Sequence, residues 1–443
     1  MEPEANPGPP PMLEERVPWA WPLFWVVFLT YIGLGLVGYF SRDETPSFER
    51  AGTLVQRGNQ ELLTDNDESS KTFRQALVMV DKLPVIEADT RAFSRTTLQV
   101  VLKQPPATSD LATLAKSKKK PYALFARMIS AQKVTEDDVK AYRKEADLKA
   151  PFHRLGEYVL IQKAGMKFPS VTDRLQWESV VAAFAYLGLG VFGLFIIPVA
   201  FLTNGLRIKG HPVAQLTPAQ GEIGAARSVM IFGWFICVGV LLALVPSSLG
   251  IILRTLLMIV IGLAGIFWLV TAPLKGRRHR LADYGFTSEG LLGRIGMGFG
   301  FAPTASLIAF GLGIVGTFLF RNLPSAEHPV SVTLESSPSI LVVIGLMLQA
   351  CVFAPVFEEL MFRGVMFPAL SQKLKSPFLG ALVSSLIFAA IHPTGIPAWF
   401  ALASLGMFGC LLTMTTRSIV PAMVLHATHN FVTLLAALNF SGF

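Results

Sequence analysis

Charge is what this sequence has least of. Only 15% of its 443 residues are Asp, Glu, Lys or Arg, where a soluble domain carries roughly 25%. The shortage is uneven. Of 68 such side chains, 42 fall between Ser41 and Glu178, while the much longer stretch from Ser179 to Phe443 holds only 21. That distribution excludes a single soluble globule, and a 52% hydrophobic content excludes a disordered chain. Cysteine is nearly absent: Cys237, Cys351 and Cys410 all lie in apolar runs, so no disulfide framework holds the charged stretch together. A sustained basic stripe is missing too. Although the net charge is +8, residues 41–178 mix 23 basic with 19 acidic side chains, which argues against a nucleic-acid partner. Lys116-Ser117-Lys118-Lys119-Lys120 then reads as a solvated loop.

Apolar runs fill the rest. A membrane span needs about 20 mostly apolar residues. The candidates are Trp19–Phe40, Val180–Thr203, Val229–Val245, Leu249–Ala272, Phe299–Phe320, Ile340–Phe357, Phe378–Ile391, Ile396–Met414 and Ile419–Phe440. The expected fold is all-α: a polytopic membrane protein with about nine transmembrane helices and a helical extracytoplasmic insert after the first span. That first run is too long for a signal peptide and no small-residue cleavage site follows it, so it reads as an uncleaved anchor. Loop charges alternate. Arg207, Lys209 and Arg227, then Lys275, Arg277, Arg278, Arg280 and Arg294, then Lys373 and Lys375, then Arg417 fall on one side, with only Arg321 on the other. The positive-inside rule makes the first side cytoplasmic. The N-terminus is then cytoplasmic, residues 41–178 are extracytoplasmic, and the C-terminus lies outside.

The domains expected are a Pro-rich tail (1–17), an anchor helix (18–40), a soluble helical domain (41–178), three spans (179–273) and a final membrane domain (274–443). In the insert, Thr135-Glu136-Asp137-Asp138 has the form of a capping box before a helix over Val139–Ala146. Gln104-Pro105-Pro106 divides the insert in two. It shows no catalytic constellation, and its lone histidine, His153, reads as surface or packing. A docking or recognition module fits best, with a partner the sequence does not identify.

Ionisable residues within membrane spans are costly and read as functional by default. Beyond the loops, the chain from Ser179 onward holds Arg254, Glu358, Glu359, Arg363, His392, His426 and His429. Arg254 is near a span end and can snorkel to the surface. The other six crowd together between Glu358 and His429. Glu359 and Arg363 are four apart and can pair on one helical face. Glu358 projects about 100° from Glu359 and can face a different cavity. Phe388 and His392, like His426 and Asn430, are four apart. Glu358 and His392 lie equally far from Lys375 along the chain, one before it and one after, whereas His426 follows much sooner after Arg417. A break at Gly364 or Pro368, laying Val365–Leu370 along the interface, would reconcile these depths.

The chemistry follows from the residue types. A carboxylate in low dielectric can act as a general base, a histidine can orient water or carry a proton, and a histidine N–H with an Asn amide can donate to an oxyanion. This is a kit for water attack on a peptide carbonyl without a serine or cysteine nucleophile. Cys351 and Cys410 read as packing residues.

Glu358-Glu359-x-x-x-Arg363, Phe388-x-x-x-His392 and His426-x-x-x-Asn430 resemble, in order, the three motifs of the CAAX protease and bacteriocin-processing (CPBP, or Abi) family. That family includes the type II CAAX prenyl endopeptidases. The resemblance covers residues 280–440 and implies a glutamate-type intramembrane endopeptidase of the bacterial inner membrane, acting on a membrane protein or peptide. By it, Glu358 and His392 would activate water, His426 and Asn430 would stabilise the oxyanion, and Glu359 with Arg363 and Phe388 would support the site. His429 is not a motif position and reads as packing. The insert at 41–178 is a departure from the family pattern. An external domain suits trimming near a C-terminal anchor or sorting signal better than a prenylated cytoplasmic terminus. No cofactor is implied.

Other readings remain open. Glu358, His392 and His426 could form a zinc site with an open position, although no HExxH helix is present. A catalytically silent membrane-binding or bacteriocin-immunity-type protein would keep the same fold. A transporter would use the charged residues as an ion path, but no internal repeat supports it. The cluster could also be a polar network that only ties helices together.

Overall fold

The computed structural model describes residues 16–40, 48–61, 66–83, 86–148, 150–166, 177–203, 205–209, 218–244, 250–273, 279–320, 323 and 340–441. Among them are helices and turns but no strand. The tail before residue 16 and the loop residues Lys275, Arg277, Arg278 and Arg321, used above for domain and charge readings, lie outside the described residues. The chain divides into two compact units. One comprises residues 1–41, 182–328 and 339–435, and the other residues 42–181, 329–338 and 436–443.

Among the described residues the charged unit contains seven helices: α2 (Phe48–Glu61), α3 (Asn66–Asp81), α4 (Ala88–Val101), α5 (Thr108–Ala115), α6 (Lys120–Ser130), α7 (Glu136–Glu145) and α8 (Pro151–Lys163). Each packs on the next, and α8 returns to touch α2, α4 and α6, which places Leu155 and Leu160 among Phe93, Phe125 and Tyr142 in the core. The capping box forms. Thr135 Oγ1 accepts from Asp138 N–H at 3.3 Å, and Asp138 Oδ2 accepts from Thr135 N–H at 3.0 Å. Gln104, Pro105 and Pro106 lie in the break between α4 and α5. Lys119, in the lysine-rich loop, pairs with Glu87 and Asp89. His153 is a packing residue: its Nδ1 accepts from Asp147 N–H at 3.1 Å, and its ring stands edge-on to Phe93 and Tyr122. Burial holds His153 below the usual imidazole range.

The apolar unit is built from α1 (Ala20–Phe40), α9 (Trp177–Leu202), α10 (Pro218–Ala243), α11 (Gly250–Thr271), α12 (Leu291–Leu319), α13 (Ile340–Lys373), α14 (Pro377–Ala390), α15 (Ile396–Thr416) and α16 (Val420–Ser441). Among the described residues, eight helices are long and apolar enough to cross a bilayer. The ninth expected span, Phe378–Ile391, forms the shorter α14, which has only 14 residues. Ionisable groups are rare in these helices because each would be desolvated, and apolar side chains such as Phe184, Phe192, Phe195, Phe310 and Phe318 point outward, as a lipid environment requires.

Helix ends of this unit meet at one face, and the contacts name them. Arg16 and the Val17 N–H, before α1, hold Glu222 at the start of α10 at 2.6 Å each. Lys373, at the end of α13, stands 5.6 Å over the Trp21 ring. Lys209, after α9, bonds the Met414 carbonyl and receives Arg417, while Ser418 bonds Gly285. The basic loop residues therefore cluster at a shared end. Arg227 is a correction to the charge reading. It is not in a loop but inside α10, 1% exposed, donating to the Leu269 and Ala272 carbonyls that end α11. Those carbonyls have no partner in their own helix, so a buried guanidinium is tolerated there. Arg254 likewise donates to the Leu242 carbonyl, at 2.9 Å, near the end of α10.

Helix α13 does not break at Gly364 or Pro368. It runs for 34 residues and changes winding instead, with π-turns at Gln349–Phe353 and Leu360–Met366 on either side of the α-turn Ala354–Glu359. Every residue from Glu359 to Leu370 is buried. Gly224 lets α10 lie directly on this stretch, because a Cβ there would stand 2.7 Å from the Ala369 methyl. The depth mismatch has another cause. Ile419 N–H bonds Gly285, and the adjacent Tyr284 carbonyl lies against Gly364. Helix α16 therefore starts beside Gly364, not beside Lys373. From that level His426 is ~10 Å along α16, and Glu358 is ~9 Å back along α13, at 1.5 Å per residue.

Candidate active site

Three helices supply the side chains. Helix α13 provides Glu358, Glu359 and Arg363, the end of α14 provides Phe388 and His392, and α16 provides His426. Glu359 and Arg363 are buried, at 2% and 1% exposure, and are joined at 2.9 Å from Nη1 to Oε1. The same Oε1 lies 2.9 Å from His426 Nδ1. Arg363 stacks over the Phe388 ring at 4.6 Å, and that ring also meets Phe362, His392 and His426. Gly409 of α15 closes the cluster from behind: a Cβ there would stand 2.9 Å from Arg363 Nε. A charge pair this deep is stable only because each partner is held by further contacts.

Glu358 has a different environment. Its Oε2 is buried and hydrogen-bonds nothing, yet His392 Nε2 stands 3.8 Å away and His426 Nε2 3.9 Å away. These gaps are too long for direct hydrogen bonds and suit an intervening small molecule. The two glutamates do not face separate cavities, as their 100° offset suggested. His426 lies between them, with Nδ1 on Glu359 and Nε2 toward Glu358, because an imidazole presents its nitrogens to opposite sides.

Hydrogen bonding fixes the tautomers. His392 Nδ1 lies 2.6 Å from the Phe388 carbonyl, which can only accept, so Nδ1 carries the proton and Nε2 of the neutral ring is a bare acceptor facing Glu358. His426 Nδ1 donates to the Glu359 carboxylate, so its Nε2 is a donor only in the imidazolium form. Asn430 does not join the glutamates. Its Nδ2 donates to the Ala350 carbonyl at 2.8 Å, leaving the second amide hydrogen uncommitted to that bond.

His429 is tied elsewhere. Its Nδ1 meets Ser306 Oγ of α12 at 2.9 Å, and Ser306 meets Tyr186 Oη of α9 at 3.0 Å. Neither Ser306 nor Tyr186 stood out in the sequence, since hydroxyl groups in apolar helices are common and carry no charge. Cys410 is buried in the packing of α14 and α15, and Cys351 is half-buried. No group of three His, Cys, Asp or Glu side chains among the described residues is arranged to hold a metal ion, Glu358, His392 and His426 included.

Residues 340–432 match the family model for the type II CAAX prenyl endopeptidase Rce1-like proteins. No curated protein and no solved structure matches the chain. The match begins where α13 begins and contains all three motif segments. Over these residues the membrane domain is similar to the type II CAAX prenyl endopeptidases.

Proposed function

We propose that the chain is an intramembrane endopeptidase in which Glu358 activates water for attack on a peptide bond of a membrane-associated protein or peptide. The observation carrying this is the unpartnered, buried Glu358 Oε2 with two imidazole Nε2 atoms at 3.8 and 3.9 Å. A water in that gap donates one hydrogen to Glu358 and the other to the bare Nε2 of His392, leaving an oxygen lone pair for the substrate carbonyl. On attack, the C–O bond forms and the water proton passes to Glu358. The carbonyl electrons move to oxygen, where His426 in its imidazolium form and the second N–H of Asn430 can donate. Collapse breaks the C–N bond, and Glu358 returns the proton to the leaving amine. The carboxylate of Glu359 accepts from His426 Nδ1 and orients that ring, while Arg363 holds the carboxylate in place.

The test is a comparison of protein termini in membrane fractions from cells carrying wild type or Glu358→Gln at matched expression. Termini present only with wild type support hydrolysis and identify the substrate. Identical termini, with a phenotype on gene deletion, would instead favour a catalytically silent binding or immunity-type role. Trimming near a C-terminal anchor or sorting signal is the substrate class this reading favours. Metal dependence is tested separately. With the purified protein, a strong chelator is expected to leave cleavage unchanged, and loss that zinc restores would revive the zinc reading.

The shared basic end supports a cytoplasmic N-terminus. Helix α1 starts at that end and runs away from it to Phe40, which supports reading residues 41–178 as extracytoplasmic.

A further inference from the structure

Pro355 stands three residues before Glu358, on the turn that carries it. In a regular helix the Ala350 carbonyl would accept from Ala354 N–H. That N–H bonds Gln349 instead, one residue further back, which is π winding. The next π bond would need an N–H at residue 355, and proline has none. The Ala350 carbonyl thus loses both possible partners within its own helix. Asn430 Nδ2 occupies it at 2.8 Å.

Two consequences follow. A π-turn inserts one extra residue, so everything after it is rotated by about 100° relative to a regular helix. Glu358 and Glu359 therefore face His426 because of winding laid down at Gln349–Phe353. Asn430 also lies one turn beyond His426 on α16, so its bond to Ala350 and the bond from His426 to Glu359 pin α16 to α13 at two heights. Sliding or rolling of one helix breaks at least one of them.

We propose a positioning role for Pro355, and for Asn430 through the N–H not aimed at the oxyanion: the π-turn imposed by Pro355, clamped through the carbonyl it frees, holds Glu358 facing His426. Pro355→Ala supplies the missing N–H, gives Ala350 a partner in its own helix, releases Asn430 and lets the turn rewind. The proposal rests on the proteolytic reading only where activity is measured.

The experiment uses the full chain with Cys237, Cys351 and Cys410 replaced by Ala. Cysteines at 358 and 426 are joined by a short bifunctional thiol reagent, a readout needing no activity. Adding Pro355→Ala or Asn430→Ala should lower the cross-link yield severalfold. A second pair at Tyr186 and Ser306 should cross-link as before, showing that the variants fold. In the otherwise wild-type enzyme, Pro355→Ala should lower kcat by about 10–100-fold with KM nearly unchanged. Unchanged 358–426 yields in both variants would overturn the proposal. Reduced yields in a protein whose wild type shows no Glu358-dependent cleavage would retain the register assignment and sink the protease reading.

Discussion

Adjacent in the chain, Glu358 and Glu359 differ in what touches them: Glu359 Oε1 accepts from Arg363 and His426, whereas Glu358 Oε2 has no hydrogen bond. Their neutral variants should therefore fail differently. Glu358→Gln is expected to lower kcat by ~10²–10⁴-fold, the range for losing a general base, with thermal unfolding unchanged. Glu359→Gln leaves a buried guanidinium without its counter-charge and should destabilise the membrane unit by about 3–5 kcal/mol. Enzyme assay and denaturation on the same samples separate the two outcomes. His153 makes a pH prediction. Burial sets its folded pKa below that of the unfolded chain, so its neutral form stabilises the charged unit fully above the unfolded value, and that stability is lost as pH falls below about 6.5. The calorimetric midpoint of that unit should drop on acidification, and His153→Gln should flatten the dependence. The motif residues were legible at this scale because a charge in an apolar run is conspicuous. Glu222 and Arg227 were not, because their place near a run's edge reads as loop until Val17 and the end of α11 are seen to hold them.

Among elements, legibility depended on whether the signal was local. The capping box before α7 was readable because Thr135 and Asp138 are three apart and satisfy one another. Thr135→Ala should cost about 1 kcal/mol, measured as the unfolding free energy of the charged unit. The winding of α13 was not readable. Pro355 and Pro368 each follow a π-turn by two residues, yet in sequence Pro368, with Gly364, suggested a broken helix and Pro355 drew no reading. Proline removes a donor without dictating what replaces it. Here Asn430 satisfies the freed carbonyl at Ala350, and that partner lies 80 residues away. The meeting of α13 with α16 was anticipated from the motifs, but the reason for their matched levels, contacts to the adjacent residues Tyr284 and Gly285, came only from tertiary structure.

For the whole molecule, the alternation of loop charge proposes which helix ends share a side, because Lys and Arg are favoured near the ends of spans. The same alternation makes a labelling prediction. In a background lacking native cysteines, Lys133→Cys should react with a membrane-impermeant maleimide added outside intact cells or spheroplasts, whereas Lys375→Cys should react only after lysis. The reverse pattern would invert the topology. Helix α14 adds a constraint of its own. Its 14 residues reach only ~21 Å at 1.5 Å per residue, short of the ~30 Å hydrocarbon layer. The chain turns back at Ile391–Gly395, and His392 sits in that bend. Bare peptide groups cannot face acyl tails, so a bend at such depth must be walled in by protein or wetted. Helix α14 thus carries turned, polar backbone to the depth of His392, where protein or water and not lipid must satisfy it.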